Sequence, residues 1–127
     1  NKESDMTLNE YQEQAMSTCM ESCDNFAYMM LNLVGEVGEF SSKVAKAIRK
    51  EEKTIHNSEL CTHISALGRF DDDFRAELKK EAGDILWQLA GLCRVMEWDL
   101  EDVAQGNLDK LASRKERGVI DGNGDNR

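Results

Sequence analysis

Residues 25–51 read NFAYMMLNLVGEVGEFSSKVAKAIRKE, and the spacing of their apolar side chains decides the fold class. Phe26, Met30, Leu33, Val37, Phe40, Val44 and Ile48 recur by threes and fours, the period of an amphipathic helix rather than the alternation of a strand. Ser22 or Asp24 stands where a cap would open it. N-terminal to this stretch, Thr7-Leu8-Asn9-Glu10 has the form of a capping box that starts a first helix over about 8–20. C-terminal to it, Phe74, Leu78, Ala82, Ile85, Leu89, Leu92 and Met96 make the inward stripe of a helix over about 72–97. Asp99 then caps a last helix over about 100–117. The weakly periodic 53–73 segment, with caps available at Ser58 and Asp71, reads as a connection holding a short helix. Residues 118–127 carry three glycines and little to bury, which predicts a mobile tail. There is no proline, no internal repeat and no alternating run long enough for a sheet. The expected architecture is all-α: one domain over 1–127, a four-helix-type bundle.

The 127 residues hold 25 Asp+Glu against 16 Lys+Arg, a net charge of −9. An acidic chain, with a pI near 4.7, is a poor match for the phosphate backbone of DNA or RNA, so no nucleic-acid partner is expected. An acidic surface instead concentrates divalent cations. The longest stretch without a charge, from Asn25 to Gly35, falls well below the roughly 18–20 residues that span a bilayer, and no signal peptide opens the chain. A soluble, cytoplasmic protein with no membrane partner is expected. Cys19, Cys23, Cys61 and Cys93 are too few and too scattered for a secreted disulfide scaffold, and with His63 they match no common zinc spacing. Cys93 reads as a small buried thiol within an apolar run.

Two acidic pairs stand out. Glu36 and Glu39 lie three apart in the middle of one long helix, and Glu81 and Asp84 repeat the spacing in the other, so each pair projects from one face. At about 100° per residue each flanks the apolar stripe of its helix, and four carboxylates can converge at the rim of one groove if the stripes pack together. Hard oxygen ligands of this kind suit Mg2+ or Mn2+. The plainer alternative is that such pairs are solvated helix faces. Gly35, Gly38 and Gly83 beside them favour the shared site, because a mid-helix glycine costs about 1 kcal/mol relative to alanine and implies a steric reason such as close backbone approach. Lys43, Lys46 and Lys50 extend the same face of the first long helix. They form either an ion-pair ladder or a phosphate-facing end of a metal site. Asn107, Lys110, Arg114 and Arg117 recur by threes and fours on the last helix, where cations also complement the helix dipole.

Other motifs fit less well. The histidines, His56 and His63, lie outside both acidic pairs, against a di-iron bundle. The stretch Asp121-Gly-Asn-Gly-Asp125 begins like an EF-hand loop but has Asn126 at the glycine position and no twelfth-position glutamate. No P-loop or nucleophile motif is present. Ala27, Leu31, Val34 and Ala45 gather on a second apolar face of the first long helix, and Trp87 points about 180° from the core stripe of the next. Such faces predict a homo-oligomer, at least a dimer.

The sequence resembles the MazG family within the all-α nucleoside triphosphate pyrophosphohydrolases. The matching residues are Glu10-Tyr11-Gln12, Leu33-Val34-Gly35-Glu36-Val37-Gly38-Glu39, Lys79-Lys80-Glu81-Ala82-Gly83-Asp84-Ile85-Leu86-Trp87 and Asn107-Leu108-Asp109-Lys110-Leu111 with Arg114. The resemblance implies hydrolysis of a nucleoside triphosphate between the α and β phosphates, giving monophosphate and pyrophosphate, with a role in clearing surplus or non-standard nucleotides. It implies Mg2+ held by Glu36, Glu39, Glu81 and Asp84, phosphates approached by Lys43, Asn107, Lys110 and Arg114, and assembly as dimers or pairs of dimers. Gly35 stands where many members carry a further glutamate, which bears on the number of metal ions. On chemical grounds a carboxylate not fully committed to metal can take the proton of an attacking water, and Glu39 is assigned that role. Tyr11, Gln12 and Met30 are candidates for the base pocket. The contrasting reading is a non-catalytic helical interaction module whose acidic groove is merely solvated.

Overall fold

The capping box at Thr7 is present: Glu10 N donates to Thr7 Oγ1 at 3.0 Å and Thr7 N donates to Glu10 Oε1 at 2.8 Å. It opens α1, Leu8–Met16, in a computed structural model that describes residues 5–49 and 72–120. This helix stops short of residue 20 because the hydroxyls of Ser17 and Thr18 donate back to the carbonyls of Gln14 and Ala15, the side-chain bonding through which these residue types compete with helix. A 3-10 turn at Glu21–Cys23 leads into α2, Phe26–Arg49. The cap of α2 is neither Ser22 nor Asp24. Asn25 Oδ1 accepts from Tyr28 N at 2.8 Å, while Asp24 pairs with Arg94 at 3.0 Å. The remaining helices are α3, Asp72–Val95, and α4, Leu100–Arg117. The short helix expected in 53–73, the pair Cys61 and His63, His56, Lys50 and the glycine-bearing stretch 121–127 lie outside the described residues. Among those residues the secondary structure is entirely helical, and no helix is long and apolar enough to cross a membrane.

Both ends of the α3–α4 turn are closed by hydrogen bonds. Glu97 N donates to Arg94 O at 2.9 Å and Trp98 N to Cys93 O at 2.8 Å, the Schellman pattern, with Glu97 in the left-handed region at φ 61°. Asp99 precedes α4 as expected, but its side chain makes no capping bond. The first amides of α4 are satisfied by α1 instead: Leu100 N donates to Gln12 Oε1 at 3.1 Å and Glu101 N to Asn9 Oδ1 at 3.0 Å. Gln12 Nε2 donates to Ala90 O at 3.2 Å and Trp98 O at 3.1 Å. One side chain therefore ties α1 to α3, to the turn and to α4.

Helix α3 is central, packed by α1, α2 and α4. Two apolar clusters form along it. Met16, Met29, Ala90, Cys93 and Leu100 are buried together at one end, and Ala47, Phe74 and Leu78 at the other, with Phe40, Val44 and Ile48 against them. The stripe read from hydrophobicity is thus right in the second half of α2 and rotated in the first. Met29 is 0% exposed, whereas Phe26, Met30 and Val37 are exposed. On α3, Phe74 and Leu78 are buried as expected, but Gln88, Ala90, Gly91 and Cys93 take the core positions assigned to Leu89 and Met96. The physical reason lies in the middle of the seam, which is occupied by polar residues that a hydrophobicity stripe passes over.

The close approach expected beside the acids is found elsewhere. A Cβ at Gly38 or Gly83 would meet nothing within 4 Å, and at Gly35 only Asn32 Oδ1 at 3.4 Å, so no close helix approach within this chain demands them. Gly91 is the glycine with a close neighbour: a methyl group there would overlap Sδ and Cε of the fully buried Met29, whose flexible end would have to move. Trp87 does not point to an uncovered face. Its indole donates to Ala15 O at 3.1 Å and Thr18 Oγ1 at 3.0 Å, beneath the end of α1.

Candidate metal and phosphate site

Between the two apolar clusters the α2–α3 seam is acidic. Glu36, Glu39 and Glu81 each offer a carboxylate oxygen within 4.8 Å of the others. Glu36 and Glu81 are half-buried and Glu39 and Asp84 exposed, so one acid of each pair enters the seam and the other stands at its rim. The expected flanking position therefore holds for Glu39 and Asp84 only. Burial first, then the charges of Asp84, Glu39 and Glu81, raise the Glu36 carboxyl above its ordinary range. Glu36 Oε2 and Glu81 Oε2 are buried without a hydrogen-bond partner. A half-buried carboxylate with an unmatched oxygen beside two others is costly as it stands. A hard divalent cation would satisfy these oxygens together, so the residues fit the ion that their spacing predicts.

Lys43 lies one turn beyond Glu39, its Nζ 3.9 Å from Glu81 Oε1. A groove of about 470 Å3 opens here, lined by Gly35, Gly38, Glu39, Ser42, Lys43 and Glu81. The missing side chains of Gly35 and Gly38 widen it beside the acids. A larger cavity, about 520 Å3, lies nearer the α3–α4 turn among Asn9, Gln12, Arg94 and Trp98. Two of its polar groups serve the fold: Arg94 is paired with Asp24 and the Gln12 amide is committed to backbone.

The other predicted residues are distributed unevenly. Tyr11 is half-buried on α1, and burial followed by the charge of Asp84 raises its phenol above the usual value, which sets it beside the site. Gln12 is turned into the fold by the three bonds given above, and both of its amide hydrogens are used there. Met30 is exposed while its neighbour Met29 fills the core. Asn107 lines a separate apolar groove with Leu86, Leu89 and Val103. Lys110 is half-buried, and Arg114 is 4% exposed.

Residues 25–119 match the MazG nucleotide pyrophosphohydrolase domain. The chain belongs to this family. The match takes in both acidic pairs, Lys43, Asn107, Lys110 and Arg114, and leaves α1 outside. This MazG chain is also 37% identical over 107 residues to the "Gene 37 protein" of Mycobacterium phage L5, an alignment covering 84% of this chain and 81% of that protein. No solved structure matches it.

One feature of the site escapes a reading of charges. Asn32 Nδ2 donates to Gln88 Oε1 at 2.6 Å across the seam, one turn from Glu36 on α2 and one turn from Asp84 on α3. The available signal is that both amides fall on the stripe that carries the acids.

Proposed function

We propose that this MazG domain hydrolyses nucleoside triphosphates, ribo or deoxy, at the bond between the α and β phosphates, releasing monophosphate and pyrophosphate with Mg2+ as cofactor and Mn2+ as a substitute. The observation that carries the proposal is the meeting of Glu36, Glu39 and Glu81 from two facing helices, with two buried oxygens unmatched. Glu36, Glu39, Glu81 and Asp84 hold the ion. When bound, Mg2+ offsets the charge of the triphosphate and lowers the pKa of a water. Lys43 reaches the phosphates along the groove with a charge-assisted hydrogen bond, and Asn107, Lys110 and Arg114 of α4 join the phosphate-binding set on the family resemblance. The water oxygen forms a bond to phosphorus as the bridging P–O bond breaks. Its proton leaves to Glu39, the exposed one of the three carboxylates that meet, Glu36, Glu39 and Glu81. Tyr11 and Met30 are candidates for contact with the nucleoside.

The same reading includes a homo-oligomer, a dimer or tetramer. Leu31 and Val34 are 74% and 61% exposed on α2, beside the exposed Ala27, and such a face favours burial against another copy. Incubation with a panel of NTPs and dNTPs, with Mg2+ or EDTA, tests the activity. Equimolar monophosphate and pyrophosphate are expected. Release of single phosphates marks a phosphatase, and no turnover of any nucleotide favours a helical interaction module.

A further inference from the structure

Contacts along the α2–α3 seam follow one antiparallel register. Met29 lies against Gly91, Asn32 bonds Gln88, Glu36 stands in the field of Asp84, and Glu39 and Glu81 bring oxygens within 4.8 Å. Each advance of three or four residues on α2 is matched by an equal retreat on α3. The apolar contacts at either end are non-directional, and Met29 is a side chain that adapts to its surroundings. The amide pair is directional. Gln88 is buried and Asn32 half-buried. Each amide has a second contact, Asn32 Nδ2 donating to Tyr28 Oη on its own helix at 3.3 Å and Gln88 Nε2 to Met29 Sδ across the seam at 3.5 Å. A buried polar pair adds little stability over apolar residues of the same shape, but it penalises every register in which the partners miss each other.

We infer that Asn32 and Gln88 are the register key of the site, a positioning pair that sets α2 against α3 so that Glu36 and Glu39 meet Asp84 and Glu81. The inference rests on the metal-site reading proposed above. A slip of one residue moves a helix by about 1.5 Å and turns its side chains by about 100°. Ligand distances in metal sites tolerate only about 0.2 Å. The pair therefore acts on metal affinity out of proportion to its effect on stability.

The test uses the full chain, with Mn2+ binding followed by the EPR signal of the free ion and Tm of the metal-free protein by circular dichroism. Asn32→Leu/Gln88→Leu replaces both partners at once and leaves neither unmatched. The expected result is a metal-free Tm equal to or above wild type, with Mn2+ Kd raised about tenfold or more, the scale seen when groups supporting metal ligands are removed. Gln88→Met, close in shape and leaving the half-buried Asn32 to Tyr28 and solvent, is expected to weaken Mn2+ binding in the same direction. Unchanged Mn2+ affinity in a folded variant overturns the inference. Loss of folding in both variants overturns it as well, since the pair is then a stability element. A wild-type protein that fails to bind millimolar Mn2+ overturns instead the metal-site reading beneath it.

Discussion

Glu36 faces Asp84 across the α2–α3 seam, and after burial itself the charge of Asp84 is the strongest influence holding the Glu36 carboxyl above its ordinary value of 4.5. With the folded-state value above the unfolded one, the unfolded chain releases this proton first as pH rises. Glu36 therefore favours the fold at low pH and loses that contribution as pH climbs from 4.5 through its folded value. Glu36→Gln is expected to raise Tm of the metal-free protein at pH 7 by roughly 2–5 °C. It should also flatten the dependence of Tm on pH above 4.5. Thermal melts in EDTA at several pH values check both.

Asp84→Asn removes a proposed metal ligand that is exposed on α3. Turnover should fall at least about a hundredfold while the helical circular dichroism stays unchanged. In the wild type, Mg2+ at a hundred times its Kd should add about 2.7 kcal/mol of stability. The variant should lose most of that gain. Wild-type turnover in Asp84→Asn would remove Asp84 from the metal site.

Lys43 sits 3.9 Å from Glu81 with its side chain 41% exposed, a geometry worth little to stability. Lys43→Ala should leave Tm within about 1–2 °C of wild type and raise KM for the triphosphate roughly tenfold, the loss of one charge-assisted hydrogen bond. Steady-state kinetics on the preferred nucleotide decide it. An unchanged KM assigns Lys43 to the ion pair alone.

Glu97 and Gly118 occupy the same left-handed position after their helices, at φ 61° and 73°. Only the glycine adopts it without strain. Glu97→Gly should stabilise the protein by about 0.5–1 kcal/mol, and Gly118→Ala should destabilise it by about 1 kcal/mol. Urea unfolding of the two variants reads both signs.

Gln12→Ala strips partners from Leu100 N, Ala90 O and Trp98 O at once. A loss of about 2–3 kcal/mol is expected, the desolvation cost of buried groups left unmatched. An effect below 1 kcal/mol would show that water replaces the amide.

How far the sequence carries the fold follows from the kind of signal each residue leaves. The helices are legible because period and capping are local: Thr7 with Glu10 announces itself within a turn. The acidic pairs are legible because three-residue spacing on a helix is also local. The true seam is not. It runs through Met29, Asn32 and Glu36 on α2, whereas the apolar period selects the neighbouring stripe of Met30, Leu33 and Val37. Leu31 and Val34 add to the misdirection, since they are apolar yet exposed. Gln12 is hidden for a related reason: its bonds span 78 to 88 residues of sequence, and nothing in its neighbourhood distinguishes it from an amide in solvent. Gly91 is identified by the methionine lying over it, which only the packed structure supplies.

The bond between Gln12 and Leu100 also orders events during synthesis. α1 leaves the ribosome well before the groups it caps, which are made some 88 residues later. At about 5–20 residues per second, α1 waits on the order of 4–18 s for its partners. During that interval α2 and the growing α3 can already pair, and α1 can dock on Trp87 and Ala90 of α3 before α4 exists. The bonds from α1 to α4 are therefore the last of this set to close, and until the opening turn of α4 emerges, Gln12 Oε1 and Asn9 Oδ1 remain open to the aqueous surroundings.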